Sequence, residues 1–93
     1  MGRLVLKFGG TSVADIERIR NVARHVAREA AAGHEVAVVV SAMSGTTDQL
    51  VGWVNDAAAS GGANTIATDM KEYDAVVASG EQVTAGLLAI VLQ

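Results

Sequence analysis

The segment from Lys7 to Ser12 constrains the fold of this chain more than any other part of the sequence. It follows a short apolar run, Leu4–Leu6, which is typical of a buried strand. Lys7 places an ammonium group at the end of that strand. Gly9 and Gly10 allow backbone N–H groups to approach an anion where a Cβ atom would collide. The segment therefore predicts a strand that ends in an anion-binding turn.

The residues after the two glycines favour the same interpretation. Thr11 or Ser12 can cap the helix that follows, and the free N–H groups and dipole of a helix start favour negative charge. The order of residues excludes G-x-x-x-x-G-K-[ST], because Lys7 precedes the glycines, and G-x-G-x-x-G is absent. A tight strand-to-helix turn that needs two glycines only for its geometry is the simpler alternative.

The next segments predict a strand–helix–strand unit. Apolar residues recur at helical spacing from Val13 to Ala32, with acidic residues in the first turn and Gly33 as the terminating residue. Residues 35–41 contain the continuous apolar run Val36–Val40, which is typical of a strand buried on both faces of a parallel sheet. The crossover between the two strands is expected to be right-handed.

The second half of the chain predicts more helix. One helix is expected from about Thr47 to Ala59, followed by a loop over Ser60–Asn64. Helical spacing resumes beyond it, and Ser79-Gly80 is expected to break that helix. The last helix is then expected to open with Ser79 as N-cap and Gln82 three residues on. The apolar stripe of this last helix is predicted to be Val83, Leu87, Ile90 and Val91.

Two further segments carry candidate chemistry. Residues 41–47 are rich in hydroxyls and follow the second strand, and ligands of open α/β sheets bind beyond the carboxyl ends of strands. The hydroxyls and backbone N–H groups of this segment suit a carboxylate or a second phosphate, although an ordinary helix-capping turn has the same composition. Glu81 falls in the first turn of the predicted last helix, where it would either complement the dipole or bind a substrate ammonium.

Composition excludes several classes of protein. The net charge of −3 argues against a nucleic-acid binder, and the lack of cysteine excludes disulfides, thiolate zinc sites and thiol nucleophiles. His25 and His34 have no second ligand at metal spacing, so no metal site is predicted. The N-terminus lacks a signal-peptide pattern and no apolar run is judged to approach membrane-spanning length, so a cytoplasmic protein without membrane contact is expected.

The end of the sequence suggests an incomplete domain. The last predicted helix has no terminating glycine before Gln93, and only two strands are predicted, where a stable sheet normally needs three or more. The 93 residues are therefore expected to be the N-terminal portion of a larger α/β domain.

Three motifs together resemble aspartate kinase. They are Lys-Phe-Gly-Gly-Thr-Ser-Val at 7–13, Val-Ser-Ala-Met-Ser-Gly at 40–45 with Thr47, and Ser-Gly-Glu at 79–81. The resemblance covers essentially the whole chain, and its first motif is highly specific. It implies the three-layer α/β/α amino-acid-kinase fold, with a largely parallel sheet of which only the N-terminal portion is present. It also implies phosphorylation of the L-aspartate β-carboxylate by Mg-ATP, the first step towards lysine, threonine and methionine.

The resemblance also implies roles for individual residues. Lys7 would neutralise charge on the transferring phosphoryl group and, with Phe8, Gly9 and Gly10, form the ATP phosphate-binding turn. Substrate aspartate would be bound by Ser41, Thr47 and Glu81. Mg²⁺ would be held largely by the phosphates rather than by a dedicated site in this chain. The family's nucleotide-binding half and regulatory domains have no counterpart here, and the full-length protein is expected to be an oligomer.

Two alternatives stay open at this point. The chain could belong to another amino-acid kinase that acts on glutamate or acetylglutamate. It could also be a non-catalytic stub that keeps an anion site and binds a partner subunit through its exposed apolar faces.

Overall fold

The computed structural model describes residues 2–60 and 70–93. Its elements, in chain order, are strand β1 (Arg3–Phe8), a 3₁₀ turn (Gly10–Val13), helix α1 (Ile16–Ala31), strand β2 (Glu35–Val40), helix α2 (Thr46–Ser60) and helix α3 (Met70–Leu92). The predicted loop at Ser60–Asn64 is outside the described residues, except that Ser60 itself is the last residue of α2.

The predicted strand–helix–strand unit is confirmed. Strands β1 and β2 pair in parallel, in a register that runs from Arg3 opposite Glu35 to Phe8 opposite Val40. Helix α1 connects them. Each strand alternates exposed and half-buried residues along its length. One face of the sheet therefore lies against the helices.

The two ends of α1 are fixed by local hydrogen bonds. Asp15 is the N-cap, because its Oδ1 accepts a hydrogen bond from the backbone N–H of Arg18 at 2.8 Å. The prediction that Thr11 or Ser12 caps this helix is wrong, since both lie in the preceding 3₁₀ turn. At the other end Gly33 has a φ of 95°, as predicted for a terminating glycine. The N–H of His34 reaches back to the Glu29 carbonyl across that end.

The core lies between the sheet and helices α1 and α3. Ile19, Val22 and Val26 of α1 are buried together with Leu88 of α3. Half-buried side chains of both strands pack against this cluster; they include Leu6, Phe8, Val36, Val38 and Val40. Burial of these apolar side chains holds the described elements together.

The opposite face of the sheet is exposed. Val5 is 73% exposed and Val39 is 50% exposed. The prediction that β2 is buried on both faces is therefore wrong for this chain, because its outward residues have no covering layer among the described elements. Arg3 and Glu35 form a salt bridge of 2.8 Å on this face, with both side chains well exposed.

Helix α3 is continuous, so the predicted break at Ser79-Gly80 is wrong. The hydroxyl of Ser79 does not cap a helix start; it donates to the Val76 carbonyl at 2.6 Å within the helix. The buried side of α3 also differs from the predicted stripe, since Val83 and Ile90 are exposed. Buried and half-buried positions recur at helical spacing through the supposed break; they include Tyr73, Val77, Gly80, Thr84, Leu87, Leu88 and Val91.

Gly80 has a packing role inside α3. A Cβ atom at this position would lie 3.0 Å from the Cβ of Ala42 and 3.3 Å from the Cδ1 of Leu50. Thr84, one turn later, is fully buried and donates its hydroxyl to the Gly80 carbonyl at 3.2 Å. The missing side chain of Gly80 lets α3 approach the turn after β2 and the start of α2 closely.

The continuity of α3 also changes one expectation about membranes. Residues Lys71–Leu92 form a helix that is long and apolar enough to cross a membrane by length and composition, with a mean hydropathy of 1.7 over an 18-residue window. The prediction that no apolar run approaches this length is wrong, because it divided the helix at Gly80. Core helices of water-soluble proteins meet the same criterion, and α3 contributes Thr84 and Leu88 to the interior.

Candidate functional site

A cleft of about 450 Å³ lies beyond the carboxyl ends of both strands. The 3₁₀ turn after β1, the turn after β2, the start of α2 and the middle of α3 form its walls. Its lining includes Gly10, Thr11, Ser41, Ser44, Thr47, Asp48 and Glu81. The three sequence segments that carry candidate chemistry therefore meet in one place, at the edge of the sheet where the parallel topology predicts a ligand site.

Direct backbone contacts hold the first two turns together. The N–H of Ser41 donates to the Phe8 carbonyl at 3.2 Å. A Cβ atom on Gly10 would lie 3.3 Å from the Ala42 carbonyl oxygen, so the second glycine of the pair serves the close approach of the two turns. A Cβ atom on Gly9, by contrast, would meet nothing within 4 Å.

The start of α2 is shaped by Gly45. This residue has a φ of 83°, a conformation that glycine adopts without strain. Its carbonyl accepts the N–H of Gln49 at 3.1 Å and so begins the helix. Thr47 and Asp48 follow in the first turn and line the cleft. The side of the cleft formed by α2 therefore combines a hydroxyl, a carboxylate and the positive end of a helix dipole.

Glu81 lines the cleft, but from a different position than the sequence predicts. It lies in the interior of α3 rather than in a first turn, so complementing the dipole of a helix start does not explain it. Its neighbour Gly80 packs against Ala42 and Leu50, which brings α3 up to the turn after β2. The carboxylate of Glu81 is exposed and faces the same space as Ser41 and Thr47.

The remaining predicted residues lie around the cleft rather than in its lining. Lys7 is exposed on the outward face of β1, and no described residue forms an ion pair with it. The ring of Phe8 packs into the core and meets His25 edge-on, at a centroid distance of 5.9 Å. Phe8 and Thr11 also line a second cavity of about 340 Å³ between the 3₁₀ turn and α1.

Sequence reasoning did not single out two residues of the cleft as ligands. The sequence predicts a capping role for Thr11 and no role for Asp48, although both line the cleft. The available signal for Asp48 was its position one residue after Thr47, in the first turn of a helix that follows a strand end. Among the described residues, no group of three or more His, Cys, Asp or Glu side chains is placed to hold a metal ion.

Comparison with known proteins decides the family. The sequence profile of the amino acid kinase family matches residues 2–93, which is nearly the whole chain. The chain belongs to the amino acid kinase family. The predicted fold class is thereby confirmed: the parallel pair β1–β2 and the packed helices fit an N-terminal portion of this fold.

Individual relatives of this amino acid kinase chain carry a more specific name. The present chain is 47% identical over 93 residues to the aspartokinase of Rickettsia felis and 44% identical over 93 residues to aspartokinase 2 of Bacillus subtilis. The crystal structure of aspartate kinase from Synechocystis superposes with a TM-score of 0.81 at 40% identity, over 96% of this chain. The resemblance to aspartate kinase is confirmed.

These relatives are much longer than the present chain. It spans 22% of the Rickettsia felis protein, 21% of the Bacillus subtilis protein and 14% of the Synechocystis chain. The cleft described above is thus formed by a chain that corresponds to a small part of the length of these relatives.

Proposed function

We propose that this chain supplies the phosphate turn and the aspartate-binding side of an aspartate kinase. The complete protein would transfer the γ-phosphoryl group of Mg-ATP to the β-carboxylate of L-aspartate, the entry reaction for lysine, threonine and methionine synthesis. The observation that carries this proposal is the convergence of Gly10, Ser41, Thr47 and Glu81 on one cleft. The three motifs that carry them lie far apart in the sequence.

The reaction demands positioning more than covalent chemistry. A carboxylate oxygen of aspartate attacks the γ-phosphorus, the bond from that phosphorus to the bridging oxygen breaks, and ADP leaves. Charge spreads over the equatorial oxygens of the transferring group, and fixed dipoles and cations stabilise it there. No nucleophilic side chain is required, and the cleft contains hydroxyls, backbone N–H groups and carboxylates.

We assign the phosphate side of the cleft to the 3₁₀ turn that follows β1. The backbone at Gly9, where a side chain would meet no protein atom, is open to an anion, and Gly10 keeps this turn against the second one. Lys7 precedes the turn on an exposed and flexible stem, and its ammonium would offset charge on the γ-phosphoryl group. Phe8 contributes backbone, since its ring is held in the core.

The aspartate side is assigned to the other two segments. The hydroxyls of Ser41 and Thr47 would donate to carboxylate oxygens of aspartate. Glu81 would accept from its α-ammonium, a charge-assisted contact that a neutral side chain could not match. Asp48 lies in the same lining and adds a second carboxylate for that cation.

Magnesium fits this arrangement through oxygen chemistry. Mg²⁺ prefers oxygen ligands and keeps substrate phosphates among them. The phosphates of ATP would therefore hold most of the ion, since the cleft carboxylates Asp48 and Glu81 are assigned to the substrate ammonium. When bound with ATP, the ion would supply charge neutralisation at the phosphates.

We propose that the protein is cytoplasmic and, when complete, oligomeric.

A comparison of acceptors tests the proposal. A complete amino acid kinase domain that contains this chain is given Mg-ATP with aspartate, glutamate or acetylglutamate, and the acyl phosphate is trapped with hydroxylamine. We expect hydroxamate from aspartate in clear preference to the two longer acceptors, because one extra methylene changes the reach to Glu81. Preference for glutamate or acetylglutamate would overturn the assignment of substrate. Absence of product with all three would overturn the assignment of activity.

A further inference from the structure

The arginines of α1 differ in what their guanidinium groups bind. Arg20 and Arg24 both contact Glu17, at 3.2 Å and 3.5 Å, on the solvated side of the helix. Arg18 instead donates from Nη1 to the backbone carbonyl of Thr11 at 2.7 Å, seven residues earlier in the chain. This is a short charge-assisted hydrogen bond from the helix to the turn that precedes it.

The local geometry explains why Arg18 reaches backward. Long side chains on a helix lean towards its N-terminus, and Arg18 lies in the first turn of α1. The carboxylate three residues earlier, Asp15, accepts the backbone N–H of Arg18 and serves as the cap. No described carboxylate pairs with the guanidinium of Arg18. It is therefore available to the Thr11 carbonyl.

The peptide group between Thr11 and Ser12 is held at both ends. Its carbonyl accepts from Arg18, and its N–H, on the Ser12 side, donates to the Gly9 carbonyl at 3.0 Å. A trans peptide is planar, so these two bonds fix the orientation of one peptide plane inside the 3₁₀ turn. No side-chain cap holds this turn at its start, at Gly9. Arg18 is thus the side chain that anchors it.

The anchored turn lies between the two cavities. Thr11 lines the cleft that contains Gly10, Ser41 and Glu81, and it also lines the second cavity together with Arg18. Movement of this peptide would change the backbone that borders the proposed phosphate position. The catalytic consequence of this contact rests on the proposed function, whereas the hold on the turn does not.

We propose that Arg18 is a positioning residue for the phosphate turn. It acts through the Thr11 carbonyl and contacts neither phosphate nor aspartate. Arg18 differs from Arg20 and Arg24 because its guanidinium donates to a backbone carbonyl oxygen rather than to a carboxylate. The matched comparison is Arg20, which has the same side chain on the same helix but is paired with Glu17.

Hydrogen exchange and carbon shifts test the hold on the turn. In the 93-residue chain labelled with ¹⁵N and ¹³C, Arg18→Met is expected to speed exchange of the Ser12 amide about fivefold, the factor for loss of one net hydrogen bond. The ¹³C shift of the Thr11 carbonyl should move upfield as it loses a charged donor. Arg20→Met should change neither signal. Amides of Val22 and Val26 in α1 report whether the variant is folded.

A conservative variant separates the donor from the helix surface. Arg18→Lys keeps a positively charged donor, although its ammonium group lies on a shorter side chain than the guanidinium. This variant should restore part of the protection of the Ser12 amide from exchange. Unchanged Ser12 exchange in Arg18→Met would overturn the proposal, as would an equal effect of Arg20→Met. If Arg18→Met proves unfolded by its Val22 amide, the Thr11 carbonyl shift in Arg18→Lys decides.

A titration with inorganic tripolyphosphate separates this inference from the proposed function. We expect the wild-type chain to bind tripolyphosphate at the Gly9 and Gly10 amides, and Arg18→Met to bind it several-fold more weakly than Arg20→Met. If tripolyphosphate leaves the wild-type amides unmoved, the phosphate role fails while the Ser12 exchange result still decides the role of Arg18. Equal affinity in both variants would overturn the consequence for phosphate.

Discussion

Gly80 of α3 lies directly against Ala42, the residue after the first serine of the second turn. A Cβ atom on Gly80 would come within 3.0 Å of the Ala42 Cβ. Because Ser41 precedes Ala42 and Glu81 follows Gly80, this one contact brings two residues that we propose bind the substrate into the lining of the same cleft.

The first prediction concerns that contact. Gly80→Ala adds a methyl group 3.0–3.3 Å from atoms of Ala42, Leu50 and Thr46, so these neighbours must shift by a few tenths of an ångström. We expect the overpacking cost of about 1–3 kcal/mol to exceed the helix-propensity gain of about 0.5–1 kcal/mol, so that the chain is destabilised. Gly86 provides a control on the same helix, since a Cβ atom there meets nothing within 4 Å. Gly86→Ala should stabilise the chain by about 0.5–1 kcal/mol through helix propensity. The free energy of unfolding of both variants is measured by urea unfolding monitored with circular dichroism. An equal increase in this free energy in both variants would show that Gly80 is not required for close packing.

Glu81 is predicted to determine the affinity for aspartate. In a complete amino acid kinase domain containing this chain, Glu81→Gln should raise the KM for aspartate by about ten- to a hundredfold, as for loss of a charged hydrogen bond. The KM for ATP should stay near its original value. Glu72 lies earlier on the same helix, outside the lining of the cleft, and Glu72→Gln should leave both constants unchanged. Equal effects of the two substitutions would remove Glu81 from the site.

Lys7 is predicted to act on the rate rather than on aspartate binding. In the same complete domain, Lys7→Met removes the cation proposed to offset charge on the transferring group, and kcat should fall by at least about a hundredfold. Arg3 is a suitable control, because it lies on the same outward face of β1 but pairs with Glu35. Arg3→Gln should keep kcat near wild type. A fall confined to the KM for aspartate would contradict the assignment of Lys7 to phosphate.

The 93-residue chain by itself is predicted to show no kinase turnover. It spans only 22% of the Rickettsia felis relative, and the proposed site accounts for contacts to phosphate and aspartate but not to the rest of the nucleotide. A coupled assay for ADP, with and without aspartate, measures this directly. Aspartate-dependent ADP release that disappears in Lys7→Ala would prove the prediction wrong.

Local patterns predicted β1, α1 and β2 well because each depends on neighbouring residues. The apolar run Val36–Val40 and the terminating glycine at Gly33 are signals that tertiary packing did not override. The sequence does not identify the cap of α1, because several residues before this helix can accept a backbone N–H. The choice of Asp15 follows from where the 3₁₀ turn ends.

Gly80 shows why other features could not be predicted. A glycine after a serine breaks a helix in some contexts and permits close packing in others, and the difference depends on what lies across from it. Here the neighbours are Ala42 and Leu50, more than 25 residues away in the chain. Because α3 continues through Gly80, Glu81 lies in a helix interior, where it lines the same cleft as Asp48.

The exposed face of the sheet determines how the isolated chain behaves in a test tube. Val5 and Val39 present neighbouring aliphatic groups to water on two paired strands. Exposed apolar surfaces of this kind favour self-association of the chain. Because self-association depends on protein concentration, dilution favours the monomer. Spectra and titrations of the chain therefore belong at low concentration. Val5→Thr is the substitution that keeps β-propensity while making this face easier to wet.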